Sequence, residues 1–399
     1  MWRPLATATA CTLAVLCSAS LAAASHSLPP GPRAAKRWNS AGQFPRRSSS
    51  SDEEFCSFNA SYPRQYIAYR AQPGEKLPTI DGNLDEPFWE KVGWSQSFVG
   101  ITSADITPKY ETRMKMRWSA DTLYVAAWME EPNVWANITQ EQKQLTHTGN
   151  DFEFFVDSAG STHGYKQVDV NAAGTVWGIA LTKSYLDGGW ENSSRVLGGA
   201  GWGLPGAAVA VAVQGSLNRP HDTDVGWSVE MGLPAGLLVQ GSGGPLPAPG
   251  RTWRINASRS QPRPAKGRTG GGWSAWQAMG EVSMHRPERW GFLQFAAGAV
   301  NGTSEARDGS WGARAVAVAA VAAEEQARAA TGAFQPDPRQ LAQFAGDARV
   351  VDGTCGEVHV TLSPNDSHAF SLTVTTPRHV AHITHDRLLS AWELKGEEE

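Results

Sequence analysis

The chain is short of cysteine, of net charge and of long apolar runs, and each shortage closes off a class of protein. Four cysteines among 399 residues cannot build a dense disulfide scaffold. A formal net charge of −4, with no long run of one sign, supplies no basic face for a phosphate backbone, so no nucleic acid partner is expected. Beyond the N-terminus no stretch approaches the ~20 apolar residues that a membrane span needs, so no transmembrane segment is expected. The Gly-rich stretches contain no phosphate-binding loop, no dinucleotide-binding G-x-G-x-x-G in a strand–helix setting and no G-x-S-x-G nucleophile elbow.

What is present is tryptophan, 17 of them, in a chain that is 41% hydrophobic. That fraction is enough for an ordinary core, and the tryptophan surplus suits flat apolar ligands or interfaces. Residues 1–24 read as a signal peptide, with Arg3 before an apolar stretch from Ala6 to Leu21 and a small-residue cleavage site at Ala22-Ala23-Ala24. A retained membrane anchor is the alternative, disfavoured by its shortness and its Ala, Thr and Ser content. A secreted protein is therefore expected. Cys11 and Cys17 leave with that peptide, whereas Cys56 and Cys355 remain as an even pair in an oxidising compartment. A bridge between them ties the segment before the main domain to the C-terminal region; two separate thiols are the alternative. Sequons at Asn59, Asn137, Asn192, Asn256, Asn301 and Asn365 suit a glycoprotein, although Asn256 falls in an expected strand.

Residues 25–54 are rich in Pro, Ser, Arg and Ala and read as a disordered linker. Residues 77–297 then alternate short apolar runs with Gly, Pro and Asn turns. Strands are expected at Met114–Trp118, Leu123–Trp128, Phe152–Asp157, Tyr165–Asn171, Thr175–Thr182, Ala207–Leu217, Trp227–Leu233, Trp253–Ser258 and Trp290–Phe295. Asp187–Gly206 and Gln261–Gly272 read as long loops. Ala313–Ala330 and Asp337–Phe344 read as helices, followed by strands at Glu357–Leu362, Ala369–Thr375 and His379–Thr384. The fold class is therefore mainly β: an antiparallel β-sandwich, immunoglobulin- or jelly-roll-like, with a small C-terminal α+β appendage over 310–395.

In Asp151-Phe-Glu153-Phe-Phe-Val-Asp157 strand alternation turns Phe152, Phe154 and Val156 to the core and Asp151, Glu153 and Asp157 the other way, with Phe155 among them. Tyr165, Gln167, Asp169 and Asn171 share a face of the next strand, and Thr175 and Trp177 of the third. As neighbours, these strands display carboxylates, amides and aromatics on one sheet face. A sugar needs that mixture, polar groups for its hydroxyls and an aromatic plane for its C–H face. An ordinary solvated sheet face fits the same pattern.

Five pieces resemble the family 9 carbohydrate-binding modules, in order and spacing, from about Leu77 to Phe295. They are Ile80-Asp81-Gly82 with Asp85-Glu86-Pro87-Phe88-Trp89; Leu123-Tyr124-Val125-Ala126; Asn150 to Asp157; Gly226-Trp227-Ser228-Val229-Glu230; and Pro287-Glu288-Arg289-Trp290-Gly291. The resemblance implies a β-sandwich that binds sugars, often as an accessory to glycoside hydrolases. It places Glu153 where the family's strand glutamate contacts the sugar. The family's two clamping tryptophans are not matched: Leu145, Thr146 and His147 stand at one place, Met284 and His285 at the other. The candidate ligand-binding set is accordingly Glu153, Asp151, His163, Tyr165 and Asn171, with Trp177, Trp276 or Trp135 to stack and His147 and His285 at the clamp positions. The expected partner is a mono- or polysaccharide, bound by a monomer.

No cofactor is implied beyond a structural calcium ion, toward which Asp81 or Asp85 would contribute; the loop from Asp157 to Ser161 offers one carboxylate and reads as a tight turn. His379, His382 and His385 do not share a strand face and lack a fourth ligand for zinc. A glycosidase needs carboxylates on opposite sides of the scissile bond, whereas Asp151 and Glu153 approach from one side, so a hydrolase acting on O-glycosyl bonds is the first alternative. A haem or redox module is the second; it needs axial Met or His ligands, and Met284 and His285 are adjacent and so poorly placed to serve opposite faces.

Overall fold

The computed structural model describes residues 51–139, 145, 149–192, 202–261, 272–298, 306–366 and 368–395. All belong to one compact unit, Arg37–Glu399. The signal-peptide reading, residues 25–50 of the linker, His147 and the Asn301 sequon lie outside the described residues. The linker reading ends too late, because Asp52–Glu54 already belong to a helix capped by the Ser51 hydroxyl.

The protein is mainly β. In chain order the first strands are β1 (Gln65–Arg70), β2 (Val99–Gly100), β3 (Thr112–Trp118), β4 (Thr122–Glu130), β5 (Asp151–Asp157), β6 (Lys166–Asn171), β7 (Val176–Leu181) and β8 (Glu191–Asn192). They are followed by β9 (Ala208–Gln214), β10 (Gly226–Pro234), β11 (Thr252–Ser260), β12 (Trp273–Ala275) and β13 (Gly291–Ala296). These form one sheet in the order β8-β7-β6-β5-β11-β13-β1-β3-β4-β10-β9, with β12 and β2 extending from β11. In place of two separate antiparallel sheets there is a single mixed sheet, nearly closed and barrel-like. The departure is at β1, which runs parallel to β13 along Gln65–Tyr69 and parallel to β3 at Tyr69 and Arg70. Hydrophobic alternation fixes which face a strand buries, not the direction of a partner far away in sequence. The sheet thus begins before residue 77.

The interior is filled from both arms of the sheet. Phe152, Phe154, Val168, Val170, Trp253 and Ile255 meet Met114, Met116, Val125, Ala127, Trp227 and Met231. Trp89, Trp118, Trp227, Trp253, Trp276 and Trp290 are fully buried, so much of the tryptophan surplus is core. The outward side chains of β3 are covered too. Arg117 pairs with Glu75 and lies 4.2 Å over the Phe88 ring, while Lys115 Nζ donates to the Trp89 carbonyl at 2.7 Å. Asn256 is buried and its amide donates to the Gln277 carbonyl, which leaves that sequon no accessible acceptor nitrogen.

Two of the motif pieces meet at one carboxylate. Glu230 Oε2 accepts the backbone N–H groups of Asp81 and Gly82, and Oε1 accepts the indole N–H of Trp89 at 2.8 Å. Gly82 sits at φ +89° with the β9 backbone where a Cβ would stand, so the turn admits only glycine. Gly291 is required for the same reason of space, its missing Cβ being replaced by the Trp276 ring.

The helices are α1 (Asp52–Cys56), α2 (Pro87–Glu90), α3 (Ala235–Val239), α4 (Trp311–Thr331) and α5 (Pro338–Leu341). An antiparallel sheet of β14 (Glu357–Leu362), β15 (Phe370–Thr375), β16 (His379–Thr384) and β17 (Leu389–Glu393) packs on α4. Ala313, Ala317, Ala320 and Val321 of α4 fill this second core with Leu372, Val374 and Ile383. Phe58, just after α1, joins it, and Cys56 is bridged to Cys355 with a Cα–Cα distance of 5.0 Å. The segment before the sheet is thereby built into the appendage.

Candidate functional site

Strand pairing sets the expected residues in rows across the outer face of β7-β6-β5-β11-β12. Directly opposed residues share a face with Cβ atoms about 5 Å apart. One row runs Ala275, Ser258, Glu153, Asp169, Trp177. The next toward the sheet edge runs Trp273, Ser260, Asp151, Asn171. The row on the other side runs Asn256, Phe155, Gln167, Ile179. Glu153, Asp151 and Trp177 are thus brought together as neighbours.

The face is not solvated. Asp151 and Asp169 are fully buried and Glu153 is 7% exposed. Ser258 Oγ donates to Glu153 Oε2, the Ser260 N–H to Asp151 Oδ1 at 3.1 Å, and Gln167 Nε2 to Asp169 Oδ1 at 2.8 Å. Asp151 Oδ2, Asp169 Oδ2 and Gln167 Oε1 are buried with no hydrogen-bond donor among the described residues. Burial, with the Glu153 charge adding to it, pushes both aspartates well above the usual carboxylate range.

Half of this face is apolar and closed. Phe155, Tyr165, Trp177, Ile179 and Leu181 pack with Leu145, Met279, Met284 and Trp290 in a separate cluster. Leu145 and Met284 stand where the family resemblance places two clamping tryptophans, and here both are buried against the face itself. Tyr165 OH lies 3.0 Å from His285 Nδ1, and the His285 ring touches Phe155 and Tyr185. Burial pulls the His285 imidazole down to about 4, so it is neutral at pH 7.

Several expected ligands are committed elsewhere. Asn171 Oδ1 accepts the N–H groups of Ala173 and Thr175, and its Nδ2 donates to the Ile138 carbonyl; it holds the β6–β7 turn. His163 Nε2 meets the Asp386 carbonyl of the appendage at 2.9 Å and does not reach the face. Trp276 is in the main core and has no surface to offer a ligand. Trp135 is half-buried and fixed beside β5, its N–H donating to Asn150 Oδ1 at 2.7 Å. The aromatic that the sequence reading missed is Trp273, 37% exposed, in the row of Asp151. Parity in Trp273-Ser-Ala-Trp276 carries the signal: the two tryptophans lie three apart, so one faces outward when the other faces in.

Acidic oxygens also converge at Asp81, Glu86 and Glu230, all within 4.8 Å of one another. Asp81 is the residue raised for calcium. The Glu230 oxygens there already accept three N–H bonds, so the cluster serves as a latch on the turn. Asp157 closes a tight turn, accepting from Ser161 and Thr162 N–H, as its loop sequence suggested.

No family model matches the chain and no curated protein matches it. Among solved structures, it is similar to a family 9 carbohydrate-binding module from Caldicellulosiruptor kristjanssonii in complex with cellotriose, at 14% identity and a TM-score of 0.39, over 61% of this chain and 100% of that one. A structure of a family 9 module from the same organism in complex with glucose also has 14% identity and a TM-score of 0.39, over 60% and 100% of the two chains.

Proposed function

We propose that this is a secreted, non-catalytic carbohydrate-binding protein whose ligand meets the Asp151, Glu153 and Asp169 rows from the Trp273 edge. The observation that carries the reading is the trio of buried acceptors without donors, Asp151 Oδ2, Asp169 Oδ2 and Gln167 Oε1, on one sheet face. Leaving such groups unpaired costs about 1–3 kcal/mol each, and hydroxyl donors from a ligand recover it. Sugar hydroxyls are such donors. Trp273 supplies an exposed indole about two strand spacings, roughly 10 Å, from Asp151. Glu153 and Asp169 oppose each other on the same face, so they approach a ligand from one side, which favours binding over hydrolysis. The bridge of Cys56 to Cys355 supports export to an oxidising compartment.

Calorimetric titration of the full chain with neutral mono- and oligosaccharides tests the reading. Saturable binding is expected, weakened at least about tenfold by Trp273→Ala and by Asp169→Asn. Absence of binding to any sugar at millimolar concentration, or equal binding by both variants, rejects it.

A further inference from the structure

A second cavity lies on the opposite side of the same strands, at an open end of the sheet interior. Its volume is about 510 Å³, and Lys166, Leu181, Trp190, Trp202, Leu237 and Gln240 are among the residues around it. That volume falls within the roughly 300–1,000 Å³ of ordinary small-ligand sites, and mouths of β-barrels are a favoured place for them.

Its chemistry is the reverse of the acidic face. Lys166 is on the interior side of β6, in line with the core residues Val168 and Val170, and is 98% buried as a residue 2% exposed. Its ammonium has three donors, of which one goes to the Gly164 carbonyl, and among the described residues it makes no ion pair with a carboxylate. Trp202 is 7% exposed and its indole N–H has no acceptor in the protein. Lys166 is the only charged residue among the described residues lining this cavity. Two buried donors, Lys166 Nζ and Trp202 Nε1, therefore belong to residues that border this cavity.

The third element is Trp190, 55% exposed at the cavity rim. Its backbone is fixed on both sides to Thr182, which accepts the Trp190 N–H at Oγ1 and donates its own N–H to the Trp190 carbonyl at 3.1 Å. An exposed indole on an anchored backbone is a platform for the C–H face of a sugar ring. Burial draws the Lys166 ammonium down to about 8, against the opposing pull of the Asp157 carboxylate.

We propose that this cavity is a second ligand site, specific for a carboxylate-bearing sugar, a uronic acid residue. The carboxylate accepts from Lys166 Nζ and Trp202 Nε1, and the pyranose ring lies on Trp190. The site is separate from the acidic face and does not depend on that reading.

Titration of the full chain with galacturonate and glucuronate, against galactose and galactose 6-sulfate, is the test, followed by calorimetry and tryptophan fluorescence. A uronate is expected to bind and galactose not to compete with it. Lys166→Met and Trp190→Ala are each expected to weaken uronate binding at least about tenfold. Asp169→Asn and Trp273→Ala are expected to leave it unchanged, which separates this site from the acidic face. Should Lys166→Met fail to fold, Trp190→Ala, at an exposed side chain, carries the test. No saturable uronate binding up to about 10 mM, or equal binding by both cavity variants, overturns the proposal. Preference for the sulfated sugar over both uronates overturns the carboxylate assignment.

Discussion

Glu230 and Asp169 are both buried strand carboxylates, and the protein serves them in opposite ways. Glu230 receives three N–H donors, from Asp81, Gly82 and Trp89. Asp169 receives one, from Gln167, and keeps a bare oxygen. The first arrangement holds the fold, so Glu230→Ala is expected to cost about 2–4 kcal/mol in urea unfolding by stranding those donors. The second costs stability, so Asp169→Asn is expected to raise the melting temperature at pH 7 while weakening sugar binding, the opposition typical of a functional site. The sign follows from linkage. The folded-state pKa of Asp169 is raised, so its contribution is most favourable below the ordinary value of 3.8 and is lost as pH rises through the folded-state value. The gain from Asp169→Asn should therefore grow from pH 5 to pH 8. A gain that does not change with pH would show that the substitution acts through packing.

Among elements, α4 carries a similar charge without any ligand role to justify it. Glu324 is fully buried in that helix, accepts the Gln335 N–H on one oxygen and has no donor for the other. Burial pushes it up to about 7, so its favourable contribution is complete below 4.5 and gone above about 7. Glu324→Gln should stabilise the protein by about 1–3 kcal/mol at pH 8 and by little at pH 5, as read by thermal melts at the two pH values. The strands that read clearly from sequence are those with strict alternation or a continuous apolar run. Glu357–Leu362 and His379–Thr384 coincide with β14 and β16, and the carboxylate face of β5 was legible because Phe152, Phe154 and Val156 alternate with it. β1 and β12 were not legible. Gln65–Arg70 is polar at both ends and finds its partners at Phe292 and Arg117, and Trp273–Ala275 is three residues long. With β12 unread, the sequence offered Trp276, which is buried, in place of Trp273, which is exposed. The burial of the site was illegible for another reason: what covers it, Leu145, Met279 and Met284, comes from segments without regular strand periodicity.

At the scale of the molecule, the appendage is bound to the large sheet through polar contacts as well as through the disulfide. Arg387, beside the β16–β17 turn, pairs with Asp187, and the Asp386 carboxylate meets Lys183 at 2.6 Å. The bridge closes a loop with a sequence separation of 299, and in a chain-entropy account that constraint is worth about 2–5 kcal/mol. Cys56→Ala with Cys355→Ala, or reduction, should lower the urea midpoint accordingly. An unchanged midpoint would mean that the polar contacts alone hold the ends.

The same two long-range closures set an order of assembly. β1 sits between β13 and β3, and its first four residues pair only with β13, the last strand of the main sheet in chain order. A chain emerging from the ribosome therefore leaves one edge of β1 unpaired until β13 arrives, and the Cys56 thiol waits longer still for Cys355. During synthesis β1 is an exposed edge, open to a chaperone or to the wrong neighbour, until β13 and then Cys355 have been made.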